Sequence, residues 1–140
     1  MKWTLERIEL LTSILRELYD ACENSVYVVE GRRDKLALRR LGFRGKIVAL
    51  KTLNRSLNSI VENLCDERQI IILTDFDNEG EELATRLYKV FKSRNVEVNL
   101  EARRKLNSLL KGEIKGLEEL EPLISRISQQ FKTSLLFNRG

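Results

Sequence analysis

Histidine is absent from this 140-residue chain, proline occurs once, tryptophan once and cysteine twice. Each scarcity closes a class of function. Without imidazole there can be no Ser-His-Asp or Cys-His nucleophilic site and none of the usual zinc sites, so any catalysis must come from carboxylates, Lys, Arg or an oxygen-bound metal. Cys22 and Cys65 lie 43 positions apart with no C-x-x-C spacing, which predicts two reduced, buried thiols in a cytoplasmic protein rather than a disulfide. Long apolar runs and a cleavable leader are missing as well, so neither a membrane span nor secretion is expected. No repeat, linker or low-complexity stretch interrupts the chain, and its length is that of one domain over residues 1–140, large enough to bury a core without staples.

What is present is charge. Lys and Arg number 25 against 21 Asp and Glu, a net +4, and charged residues make up 33% of the chain. The modest total hides a local field. Residues 30–55 hold nine basic side chains (Arg32, Arg33, Lys35, Arg39, Arg40, Arg44, Lys46, Lys51 and Arg55) against only Glu30 and Asp34, a concentration suited to a polyanionic partner.

Hydrophobic periodicity predicts an α/β fold. Trp3, Ile8, Leu11, Leu15 and Leu18 form the stripe of an amphipathic helix over about 3–22, within an N-terminal segment 1–23. Residues 24–100 then alternate strands and helices. Strands are expected at 26–29, 46–50, 69–74 and 96–100, and helices at about 32–41, 54–65 and 79–93. Gly42 is placed to close the second helix. The run Ile70-Ile-Ile-Leu73 reads as a strand buried on both faces, hence central, whereas Val96-Glu-Val-Asn-Leu100 alternates as an edge strand would. Such alternation argues a four-stranded, mainly parallel sheet of order 2-1-3-4 with helices on both faces. Residues 101–140 read as a helical extension, with a helix at about 101–111 and a second broken near Glu121 by Pro122. The three-four spacing of Leu117, Leu120, Ile124, Ile127 and Phe131 covers barely two heptads, which favours ordinary packing on the sheet over a coiled coil. Residues 137–140 are expected to fray.

Two acidic loops break the basic pattern, each after a predicted strand. One is Glu30-Gly-Arg-Arg-Asp34; the other, from Asp75 to Glu82, carries Asp75, Asp77, Glu79, Glu81 and Glu82 with no basic residue between them. In an open parallel sheet of this order, ligands bind beyond the carboxyl ends of strands 1 and 3, where the strand order reverses. Adjacent strands are about 4.8 Å apart, so Glu30 and Asp75 should meet there. A group of hard oxygen ligands suits Mg²⁺ or Mn²⁺. Some of these residues have a purely structural use. Asn78 followed by Glu81 has capping-box spacing, and Glu81, Glu82 and Asp34 can each stabilise a first helical turn. Glu30, Asp75 and Asp77 have no such local reason. Arg32 and Arg33 sit in a first turn, where cations oppose the helix dipole; they either hold phosphate oxygens or neutralise the neighbouring carboxylates.

These residues resemble the toprim domain of type IA and II topoisomerases, bacterial-type primases and certain nucleases. The likeness lies in an apolar strand ending in Glu30-Gly31 and a later one ending in Asp75-Phe-Asp77. Glu30-Gly-x-x-Asp34 is similar to the form in primases and the ribonuclease that matures 5S ribosomal RNA. Asp75-x-Asp77-x-Glu79-Gly80-Glu81 is similar to the type IA topoisomerase form. Residues 101–121 resemble the tail of small stand-alone archaeal toprim proteins. The resemblance implies that Glu30 acts as general base or acid in phosphoryl transfer and shares a metal site with Asp75 and Asp77, which Asp34 or Glu79 completes. It also implies Mg²⁺ (or Mn²⁺) as cofactor. Phosphate contacts are then expected from Arg32, Arg33, Lys35, Lys51 and Arg55. Complete topoisomerase or primase activity is not expected, since no region could supply a strand gate with its tyrosine, or a zinc module. A phosphate loop is excluded because Gly42-Phe-Arg-Gly45-Lys46 has the wrong spacing and no following hydroxyl. Receiver and haloacid-dehalogenase folds place aspartates after the first strand, where this chain has Glu30. The expectation is a Mg²⁺-dependent protein acting on phosphodiester bonds of RNA or DNA, most simply a nuclease. The alternative is a non-catalytic, metal- and nucleic-acid-binding module working with a protein partner. A homodimer is compatible with either.

Overall fold

Alternation along the strands sets the architecture. The computed structural model describes residues 2–67 and 69–132. The strands β1 (Ser25–Val29), β2 (Lys46–Ala49), β3 (Gln69–Ile72) and β4 (Val98–Asn99) form one sheet of order β2-β1-β3-β4, parallel throughout. In register, Tyr27 lies between Ile47 and Ile71, and Val28 between Val48 and Ile72. Val26, Val28, Ile70 and Ile72 face one core; Tyr27, Val29, Ile47, Ala49, Ile71 and Leu73 face another.

The helices sort by the direction of travel across the sheet. Between β1 and β2 the chain moves one way through α2 (Arg32–Arg40); from β2 to β3 and on to β4 it moves the other way through α3 (Leu57–Leu64) and α4 (Asn78–Ser93). Right-handed crossovers in opposite directions put their helices on opposite faces. Accordingly α3 and α4 pack on the first core and α2 on the second. The face of α2 is completed by α1 (Leu5–Asp20), α5 (Glu101–Leu110) and α6 (Leu120–Phe131). The N-terminal helix thus packs within its own chain, beside α5.

Local chemistry explains most of the boundaries. Thr4 caps α1 by accepting from the Arg7 N–H. Gly42, with φ of 94°, closes α2: its N–H reaches the Arg39 carbonyl, and the Phe43 N–H reaches that of Leu38. Pro122 is the third residue of α6, in the first turn, where its missing N–H costs nothing. The second strand ends one residue short of expectation because Leu50 begins a 3₁₀ turn, Leu50–Thr52. The helix expected at 54–65 starts later, at Leu57, where the Ser56 hydroxyl caps it. The edge strand shrinks to Val98–Asn99 because Val96 turns into the core and the Asn99 side chain instead accepts from the Glu101 and Ala102 N–H groups at the start of α5. Cys22 and Cys65 are free, but half-buried rather than buried. The tail expected to fray, 137–140, lies outside the described residues. Among the described residues no helix is long and apolar enough to cross a membrane.

Candidate functional site

The crevice beyond β1 and β3 contains both acidic loops, and a side chain joins them. Leu73 N–H bonds to the Val28 carbonyl, carrying the pairing past the end of β3. Two residues on, the Asp75 N–H donates to Glu30 Oε1 at 3.1 Å. Glu30 is 5% exposed; its other oxygen faces Lys51 Nζ at 3.5 Å, and the Lys51 N–H donates to the Glu30 carbonyl at 2.8 Å. Lys51, expected as a phosphate contact, therefore belongs to the site itself, its ammonium reaching in from an exposed position.

Asp34 is also buried. It occupies the third position of α2, and its Oδ2 accepts from the Gly31 N–H at the helix entry. Burial pushes the Asp34 carboxyl up from its ordinary pKa, as do the charges of Glu118 and Glu30, while hydrogen bonds from the Gly31 and Glu118 backbone work against the rise.

Asp75 is held on every side. Its N–H is used by Glu30, and its carbonyl accepts from Arg103 Nη2 at 2.5 Å. Gly80 lies so close that a Cβ there would stand 1.9 Å from the Asp75 carbonyl oxygen. The carboxylate itself forms no ion pair with a described residue. Burial, followed by the nearby charges of Asp34, Glu30 and Asp77, pushes its pKa up to about 7, with Lys51 offsetting only part.

Asp77 corrects an expectation. It does have a structural use: it is the N-cap of α4, its Oδ1 accepting from the Gly80 N–H at 2.8 Å. The capping-box spacing of Asn78 and Glu81 misleads because the helix begins one residue earlier, with glycine at the third position. Asp77 is exposed, and Glu79 is exposed in the first turn. Glu81 is spoken for, pairing with Arg103 Nη1 at 2.5 Å. Arg32 and Arg33 project from the start of α2 into solvent, with Arg33 4.0 Å from Glu118 rather than beside Glu30 or Asp34. Lys35 is half-buried and Arg55 exposed.

Sequence reasoning missed Arg103. Only 4% exposed, it donates from Nε to the Thr74 carbonyl and hydroxyl at 3.1 and 3.0 Å, besides its bonds to Asp75 and Glu81, and it lies over the Phe76 ring. A signal existed: Arg103 falls in the buried stripe of α5 with Ala102, Leu106 and Leu110, a cation where an apolar residue belongs.

Carboxylates surround Asp75, yet among the described residues no three acidic side chains are arranged to hold a metal ion by themselves. A divalent cation held here would take one or two of these carboxylates and keep waters in its remaining positions. The donors are all hard oxygens, and the like-charge crowding at Asp75 is what a cation would relieve.

Comparison with known proteins agrees with this geometry. The toprim domain profile matches residues 24–100. A UPF0292 protein of Pyrococcus horikoshii is 37% identical over 126 residues, covering 90% of each chain. One from Thermococcus gammatolerans is 40% identical over 100 residues, covering 71% of this chain and 74% of its own, and one from Methanosarcina barkeri is 38% identical over 124, covering 88% and 84%. A solved structure of a protein from Aquifex aeolicus is similar with a TM-score of 0.68 and 25% identity, covering 78% of this chain and 96% of that one. The chain thus belongs to the toprim domain family of metal-binding, nucleic-acid-related modules and, along most of its length, to the UPF0292 proteins of archaea.

Proposed function

We propose that the protein is a Mg²⁺-dependent enzyme cleaving phosphodiester bonds of RNA or DNA. The observation that carries this reading is the buried Glu30 carboxylate, bonded to the Asp75 N–H beside an Asp75 carboxylate that forms no ion pair with a described residue. Asp75 and Asp77 would hold Mg²⁺ or Mn²⁺; capping occupies one Asp77 oxygen and leaves the other for a metal or its waters. Glu79, exposed nearby, is better placed to complete the set than Asp34, which is buried and bonded to backbone. When bound, the ion supplies charge stabilisation at the attacked phosphate and the attacking or leaving oxygen. Glu30 moves a proton at the oxygen that faces Lys51, its other oxygen being fixed by the Asp75 N–H. Arg32, Arg33 and Arg55 offer exposed charge to the nucleic-acid backbone, with Lys35 half-buried and the exposed Lys51 reaching towards Glu30.

The structural uses of Asp34, bonded to the Gly31 N–H, and of Asp77, the cap of α4, support a second reading, a non-catalytic metal- and nucleic-acid-binding module whose protein partner does the chemistry. One experiment separates them: labelled single-stranded, duplex and structured RNA and DNA are incubated with Mg²⁺ or Mn²⁺ and wild type or Glu30→Gln. Metal-dependent cleavage that the variant loses is the expected result. Binding by both proteins with cleavage by neither would replace the enzyme with the module.

A further inference from the structure

The toprim match ends at residue 100, but the walls of the acidic site do not. Beyond α5 the chain turns back, and residues 114–117 lie against the Asp75 loop. Ile114 and Leu117 are buried in the core on either side of this segment. Between them, the Lys115 carbonyl accepts from the Phe76 N–H at 2.6 Å, while the Lys115 N–H is held by Glu119 Oε2 at 2.6 Å. Gly116 is therefore fixed in place, and it stands beside the Asp75 carboxylate: a Cβ on Gly116 would lie 2.4 Å from Asp75 Oδ1 and 3.0 Å from its carboxyl carbon.

Backbone conformation does not call for glycine here. Gly116 has φ of −166° and ψ of 176°, extended geometry open to any residue. What excludes a side chain is space, and the atoms that occupy it belong to the Asp75 side chain. The next residues serve the other acidic loop. Glu118 lies against Asp34 through its backbone and its charge, and it approaches Arg33.

We propose that the segment C-terminal to the toprim core is a working part of the site, with Gly116 a positioning residue whose missing side chain sets where the Asp75 carboxylate can lie. Its consequence for metal binding rests on the function proposed above; its consequence for packing does not. A methyl group at Gly116 meets the movable end of a short side chain, so the carboxylate turns aside and the fold survives. Ligand geometry suffers more than stability.

Two substitutions test this in wild-type and Asp75→Ala backgrounds, since Asp75→Ala removes both atoms within 3.0 Å and leaves the Asp75 Cβ at an ordinary 3.7 Å. Gly116→Ala is expected to weaken Mn²⁺ binding, measured calorimetrically, by about tenfold or more, with far-UV circular dichroism unchanged. Gly116→Val, in EDTA, is expected to lower Tm in the wild-type background and by clearly less in Asp75→Ala, the non-additivity of groups in contact. Wild-type Mn²⁺ affinity in Gly116→Ala would overturn the proposal. So would a Gly116→Val loss that is absent, or equal in both backgrounds. Should the wild-type protein bind no Mn²⁺, the metal reading fails, and the EDTA comparison still decides the role of Gly116.

Discussion

The two acidic loops meet at one crevice and solve opposite problems. In the loop after β1, both carboxylates are buried and satisfied: Glu30 by the Asp75 N–H and Lys51, Asp34 by backbone N–H groups. In the loop after β3, the backbone is immobilised while the carboxylates are left open. Asp75 has its N–H and carbonyl bonded while its carboxylate forms no ion pair with a described residue, and Asp77 keeps one oxygen free of its cap. On the function proposed above, the first loop holds Glu30 in a fixed place for proton transfer and the second is left open for a cation. Burying a polar group with its partners costs little, whereas crowding unpaired charges is tolerated only where something else is to neutralise them.

The largest way to break this contrast is to release the backbone of the second loop. Arg103→Ala leaves the Thr74 and Asp75 carbonyls without their buried donor, and a loss of about 3 kcal/mol is expected in chemical denaturation. Arg103→Lys should recover only part, since a single ammonium cannot reproduce the guanidinium fork. A loss within about 0.5 kcal/mol, the range of an ordinary surface change, would mean the loop is held by other means.

A smaller effect, of opposite sign, comes from the crowded charge. The Asp75 pKa rises from its usual 3.8 to about 7 in the folded protein. The folded state therefore holds a proton that the unfolded chain has released. Stability falls as pH rises between those two values, and the full cost is present above the upper one. Asp75→Asn removes that cost. In metal-free buffer the variant should be more stable than wild type at pH 8, by about 1 kcal/mol after allowance for solvent screening, with a smaller gain at pH 5. An equal change at both pH values would show that the crowding is relieved without a ligand.

The same contrast governs what could be read in advance. The sheet order was legible because Ile70-Ile-Ile72 cannot be anything but central and the helix-strand alternation leaves few topologies. The meeting of Glu30 with Asp75 followed from that order. Asp77's cap was misjudged by one residue, since Asp, Asn and Glu in succession offer overlapping cap patterns that only the backbone resolves. Arg103 and Gly116 were hidden for a different reason. They reach the site through tertiary packing from the extension, where no local motif marks a residue that touches a loop almost 30 positions earlier or more. An arginine in an apolar stripe was the one local signal.

The central claim is that Asp75 and Asp77 await a divalent cation, and a thermal melt with and without Mg²⁺ tests it most directly. Asparagine caps a helix about as well as aspartate, so the Asp75→Asn, Asp77→Asn double variant should stay folded. Ligand that binds only the native state raises Tm by mass action: the expected result is a Mg²⁺-dependent rise in wild type and none in the double variant. No rise in wild type, or the same rise in both proteins, would contradict it.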